Sequence, residues 1–137
     1  MLLQLNKMER TVPRRGIACV ELALVLPVLL ILVLGTIEVC QRIFLRQSAI
    51  IVAYEAARLA ARNTSSNADV LQRCQSMLTQ RRVVGGQVTI TPTDLLDQPT
   101  GTLIRIQVEI PWANNSPTQF VLKDQGTVTF DAYMLRE

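Results

Sequence analysis

The chain contains no histidine. That absence removes the side chain most often used as a general base and as a metal ligand near neutral pH. Cysteine is scarce and oddly numbered: Cys19, Cys40 and Cys74, with no pair at CxxC spacing. A single disulfide would leave one thiol over, so three free thiols are expected and no zinc site. Cys19 and Cys40 lie in or beside an apolar stretch, where a thiol behaves as a small hydrophobe. Cys74 has no histidine to activate it as a nucleophile. The carboxylates Asp94, Asp97, Glu109, Asp124 and Asp131 are scattered without metal-ligand spacing, and no glycine-rich phosphate loop is present. These absences leave no catalytic constellation; an enzyme is not expected, and neither is a cofactor.

Charge is likewise thin. The formal charge is +3 and the isoelectric point about 9.1, yet Lys7, Arg10, Arg14 and Arg15 against Glu9 carry all of that excess. From Ile17 onward ten basic residues face ten acidic ones. The basic balance is a property of the first sixteen residues, not of a folded face, and does not argue for nucleic-acid binding.

What the chain does have is one long apolar run, Ile17 to Val39, broken only by Glu21 near one end and Glu38 near the other. About 20 apolar residues cross a bilayer as a helix, and a lone spanning segment must be helical because its backbone has to satisfy itself. Four basic residues precede the run, and Arg42 and Arg46 follow it. The bias predicts a cytoplasmic N-terminus and an extracytoplasmic C-terminus. The expected organisation is a basic leader at 1–16, a transmembrane helix at 17–40 and an extracytoplasmic α+β domain at 41–137. Pro13 and Gly16 argue against a helix running through the leader.

The helix should continue beyond the membrane. Between Gln41 and Arg62 there is no proline or glycine. Glu38 with Arg42, and Glu55 with Arg58, have the spacing of helical ion pairs. Ala49, Ala53, Ala57 and Ala61 recur every four residues and form a smooth ridge. Such a ridge suits close packing; alanine's helix propensity accounts for it equally well. Asn63 to Asn67 reads as a turn rich in N-caps. A second helix is expected from there to Arg82, with Val70, Leu71, Cys74, Met77 and Leu78 on one face and Gly85-Gly86 as its stop.

The period then changes from 3.6 to two. Val88 and Ile90 alternate with polar neighbours in Gln87 to Thr91. So do Ile104, Ile106, Val108 and Ile110 in Thr102 to Ile110, and Val128, Phe130, Ala132 and Met134 in Thr127 to Leu135. Three such strands make a small antiparallel sheet with one apolar face, which a helix must cover. Asp97 to Gly101 reads as a connecting loop. Pro111 to Gln119 is a longer one, carrying the only tryptophan, Trp112, which is expected to pack at the sheet edge.

The N-terminus holds the functional signal. Arg14-Arg15-Gly16 stands directly before the apolar run, and Glu21 lies inside it. A secretory signal is cut after its apolar stretch at an A-x-A-like site, and Val39-Cys-Gln-Arg42 offers none. A cut, if made, falls on the cytoplasmic side, at Gly16. It would free an ammonium at Ile17, four residues from Glu21 on one helical face. A membrane carboxylate is costly unless paired or protonated. Glu21 could pair with its own terminus or with that of a neighbouring subunit, fixing the stagger between them, or it could sit solvated at headgroup depth. Neither Cys19 nor Cys40 has the surroundings of a lipoprotein cysteine, and Arg14-Arg15 is a weak twin-arginine signal.

The run Arg14-Arg15-Gly16-Ile-Ala-Cys-Val-Glu21-Leu-Ala-Leu-Val-Leu-Pro27, then Glu38 and Tyr54-Glu-Ala-Ala-Arg-Leu-Ala-Ala-Arg62, resembles TadE-like proteins, pseudopilins of the tight-adherence pilus system. The resemblance covers about residues 14 to 62. It implies cleavage between Gly16 and Ile17 by a prepilin peptidase, with Glu21 as the fifth mature residue setting register. Pro27 would locally loosen the helix, since it removes a backbone hydrogen bond. Pilins of this system usually carry an aromatic residue after that glutamate; here it is Leu22. The implied partners are the prepilin peptidase, the major pilin, a sister pseudopilin and the inner-membrane secretion platform. The competing expectation is an uncleaved, signal-anchored binding domain with no need of Glu21.

Overall fold

In the computed structural model of the protein, residues 14–116 and 126–137 are described. Two helices precede three strands. α1 is Arg14–Ala60, α2 is Asn67–Gln80, β1 is Gln87–Thr91, β2 is Leu103–Pro111 and β3 is Thr127–Leu135. The fold class is α+β, with the long N-terminal apolar helix, the second short helix and the antiparallel sheet that the periodicities predict. Contacts divide the chain between Val33 and Leu34, and the second unit is Leu34–Glu137.

α1 runs without interruption for 47 residues and holds Pro27 inside it. Gly16 is helical, not ahead of the helix as expected. Glycine weakens a helix without forbidding it. Up to Val33 its apolar side chains are bare: the larger ones from Ile17 to Val33 are 46–72% exposed.

Within Leu34–Glu137 the same helix is buried on one side. Ala49, Ala53, Ala57 and Ala61 are covered, together with Leu45, Val52, Ala56 and Ala60. The alanine ridge is therefore a packing surface. It shares one buried core with Ile104, Ile106, Val108 and Ile110 of β2, all fully buried.

The sheet order is β1-β2-β3, antiparallel throughout. β2 pairs with β3 over nine consecutive positions from Leu103↔Leu135 to Pro111↔Thr127, placing Ile106 opposite Ala132 and Val108 opposite Phe130. β1 sets Val88 against Val108 and Ile90 against Ile106. The inward sets are the ones that the alternation assigns. On the outer face Arg105 donates from Nε and Nη2 to the two carboxylate oxygens of Asp131, each at 3.1 Å.

α2 begins with a capping box. Ser66 Oγ accepts from the Asp69 amide, and the Asp69 carboxylate accepts from the Ser66 amide. The Ser66 hydroxyl also donates to the Asp69 carboxylate at 2.7 Å, and that bond, followed by the one from the Ser66 amide, holds the Asp69 carboxyl below the usual carboxylate range. Val70, Cys74 and Leu78 are buried, and Met77 packs beside them. Leu71, expected on that face, is 36% exposed; the helix turns it past the edge of the covered stripe.

The helix ends earlier, and by another device, than the glycine pair suggests. Arg82 takes the left-handed conformation, φ 56°. Its amide donates to Thr79 O at 2.9 Å, and that of Val83 to Leu78 O at 2.9 Å. That double closure, with Val83 and Leu78 both buried, is a Schellman ending whose left-handed residue is arginine instead of glycine. Gly85 follows with φ +72° and serves the next turn; a Cβ there would meet the Asn114 side chain at 2.8 Å.

The three cysteines are free. Cys74 is fully buried, and burial pushes its thiol up to about 11. Such a thiol stays protonated near neutrality and is a poor nucleophile.

Candidate functional site

Gly16, Ile17, Glu21 and Pro27 all lie on α1 and all are exposed. No described residue stands within 4 Å of the position a Gly16 Cβ would take. Ile17 is 61% exposed. Glu21 is one helical turn further on, about 6 Å along the axis at 1.5 Å per residue, and has no ion pair or hydrogen bond among the described residues. A carboxylate on a bare apolar helix is the arrangement that a partner outside the chain would complete. Residues 1–13, most of the expected leader, lie outside the described residues.

Further along the helix Glu38, Gln41 and Arg42 are partly or wholly covered, whereas Arg46 and Gln47 stay exposed. Glu38 is only 3% exposed, although the hydropathy pattern places it at the water-facing end of the apolar run. Arg42 sits over the Trp112 ring, 4.9 Å from its centroid. This geometry combines a cation–π attraction with burial of the arginine stem. Gln41 Nε2 donates to Asn115 O at 3.0 Å. Trp112 is half-buried against the core and is held by α1 as well as by the sheet.

Asn115 is the residue that sequence reasoning missed. Its Oδ1 accepts from the Val84 amide at 2.7 Å, and its Nδ2 donates to Val84 O at 2.8 Å and Pro111 O at 2.9 Å. With Gln41 on its own carbonyl, one asparagine ties α1, the segment after α2 and the end of β2. An asparagine in a polar loop reads as solvation, and no local pattern distinguishes a clamp from it. The rest of the expected loop, 117–119, falls outside the described residues.

The end of the chain is tied to the end of α1. Glu137 N donates to Ala61 O at 2.9 Å, and Arg136 Nη2 to Asn63 O at 3.3 Å. Glu55 and Arg58, expected as an ion pair, do not form one; both instead line a surface hollow.

Among the described residues no group of three His, Cys, Asp or Glu side chains is gathered to hold a metal. One helix is long and apolar enough to cross a membrane, Gly16–Ala60, and its most apolar window is not buried at all. That is consistent with a single-pass anchor.

No curated protein and no solved structure matches the chain. A family model described as TadE-like protein matches residues 16–58. The match starts at Gly16 and takes in Ile17, Glu21, Pro27 and nearly all of α1. Over residues 16–58 the chain is similar to TadE-like proteins.

Proposed function

We propose that this protein is a pseudopilin of the tight-adherence pilus system that works by assembly, not by chemistry. The TadE-like match over residues 16–58 and the apolar helix support a pilin-like, pilus-associated protein with a membrane anchor. The chain inserts with residues 17–40 across the bacterial inner membrane, the leader 1–16 in the cytoplasm and 41–137 outside. A prepilin peptidase cuts between Gly16 and Ile17. Removal of the leader discards the excess positive charge and leaves an ammonium one turn from Glu21. That carboxylate then sets register against a neighbouring pilin or pseudopilin helix, while Pro27 loosens the helix enough to seat it. The partners are the peptidase, the major pilin, a sister pseudopilin and the inner-membrane platform, and the product serves attachment or secretion.

The observation that carries this reading is the coincidence of the TadE-like match with the bare apolar part of α1. A carboxylate and an apolar surface left without intramolecular partners suit a segment whose partners are other subunits. The test is the N-terminal sequence of protein purified from its native membranes. A mature chain beginning at Ile17 supports processing, and Gly16 replaced by a bulkier residue should then abolish it. Glu21→Ala should leave cleavage intact and lose assembly. A chain beginning at Met1 beside an active peptidase returns the second reading, an uncleaved anchor carrying an outer binding domain.

A further inference from the structure

The outer unit leaves charge of both signs unpaired in two places. Arg58 and Arg62 stand one turn apart near the end of α1, and Arg73 comes from α2. With Glu55 and Leu59 they line a hollow of about 220 Å³. A second hollow shares Leu59 and Arg73 and continues the first along α2. All three arginines are exposed, and none makes an ion pair or side-chain hydrogen bond among the described residues. The hollow is thus a cationic depression with an apolar floor at Leu59.

The opposite chemistry lies in the loop between β1 and β2. Asp94 and Asp97 are exposed and likewise unpaired among the described residues. They flank Leu96, which is 57% exposed. This loop is held in shape. Asn67 Oδ1 accepts from the Leu95 amide at 2.9 Å, Asn67 Nδ2 donates to Thr93 O, and the Leu95 side chain is fully buried. Two carboxylates and a leucine are therefore presented on fixed backbone, which lowers the ordering cost of a contact.

We propose that the Asp94–Asp97 loop of a second copy of this chain occupies the arginine hollow. The two carboxylates meet the guanidinium groups of Arg58, Arg62 and Arg73, which are suited to paired hydrogen bonds with carboxylate. Leu96 covers Leu59. Exposed ion pairs contribute little each, so the contact is weak, selective and salt-sensitive, and charge complementarity chooses the partner. It goes beyond the pseudopilin reading and rests on it in one respect: confinement to one membrane supplies the high local concentration that a weak contact needs.

The experiment is the mass of the full-length chain in detergent micelles, by sedimentation or light scattering across protein concentration and salt. The expected result is self-association that weakens about tenfold or more as salt rises and screens the charges. Arg62→Glu and Asp94→Arg should each abolish it. Both changes in one chain should recover part of it by restoring opposite charges across the contact. Both side chains are exposed, and unchanged melting of the variants checks that they fold. A monomer at every concentration overturns the proposal. So does association indifferent to salt and to both reversals, which would come from the apolar helix alone. Loss with Arg62→Glu but not with Asp94→Arg assigns the hollow to a different acidic segment and equally overturns it. The N-terminal sequence reads processing separately, so failure of this contact and failure of the pseudopilin reading are distinguishable.

Discussion

One helix, α1, lives two lives. From Ile17 to Val33 its apolar side chains are bare on every side, and the fold gives them nothing to pack against. From Leu45 to Ala61 its buried side chains are mostly alanine, and they belong to the core shared with α2 and the sheet. The first stretch is the more hydrophobic and the less buried. The difference teaches that apolar content and burial part company when the intended solvent is not water. Bulky leucines suit lipid or a neighbouring helix, whereas alanines suit a sheet that must come close.

The comparison can be broken by equal truncations on its two sides. Ile106→Ala empties part of the core and should lower the stability of the unit Leu34–Glu137 by about 2–5 kcal/mol. Leu29→Ala in the bare stretch should leave the same unfolding midpoint unmoved, as read by chemical denaturation in detergent. Equal effects would mean that the bare stretch contributes to the outer unit's stability after all. Enlargement sharpens the contrast further. Ala53→Leu inserts three carbons where the side chain is fully buried and should cost about 1–3 kcal/mol by overpacking. Ala23→Leu, on the bare stretch, should cost the outer unit nothing.

A smaller effect separates the cysteines. Cys74 is buried and its thiol is raised to about 11, while Cys19 and Cys40 are exposed. The unfolded chain ionises at Cys74 near the ordinary value and the folded chain resists. The contribution of the protonated, buried thiol is therefore fully present below about pH 9 and falls away between pH 9 and 11. Melting temperatures across that window should decline, and a Cys74→Ala variant should lose that part of the decline. Smallest is the cap: Ser66→Ala should lower stability by about 1 kcal/mol, with no counterpart in the bare stretch.

Much of this architecture was legible in advance, and for physical reasons. The strands announce themselves because Ile104, Ile106, Val108 and Ile110 must all face one way, and the period of two leaves no other assignment. The length of α1 follows from twenty-two residues, Gln41 to Arg62, without a helix breaker. The end of α2 was misread because the glycine rule treats the left-handed position as glycine's; here buried Val83 against Leu78 holds Arg82 there instead. The ring around Trp112 was invisible because Gln41, Arg42 and Asn115 come from distant segments and have no shared spacing. Gly16, Ile17, Glu21 and Pro27 were legible as a pattern, and the fold adds little to them.

Trp112 gives the molecule a lamp of its own. It is the only indole in the chain, so tryptophan emission comes from one place: the point where Arg42 of α1 lies over the loop that leaves β2. Lifting that loop from the helix changes the polarity and the charge at the ring together, and so shifts both colour and yield. The bare stretch contains no tryptophan and stays dark. Tryptophan emission from the intact chain therefore reports on the packing of that loop against α1 within Leu34–Glu137, with no label attached.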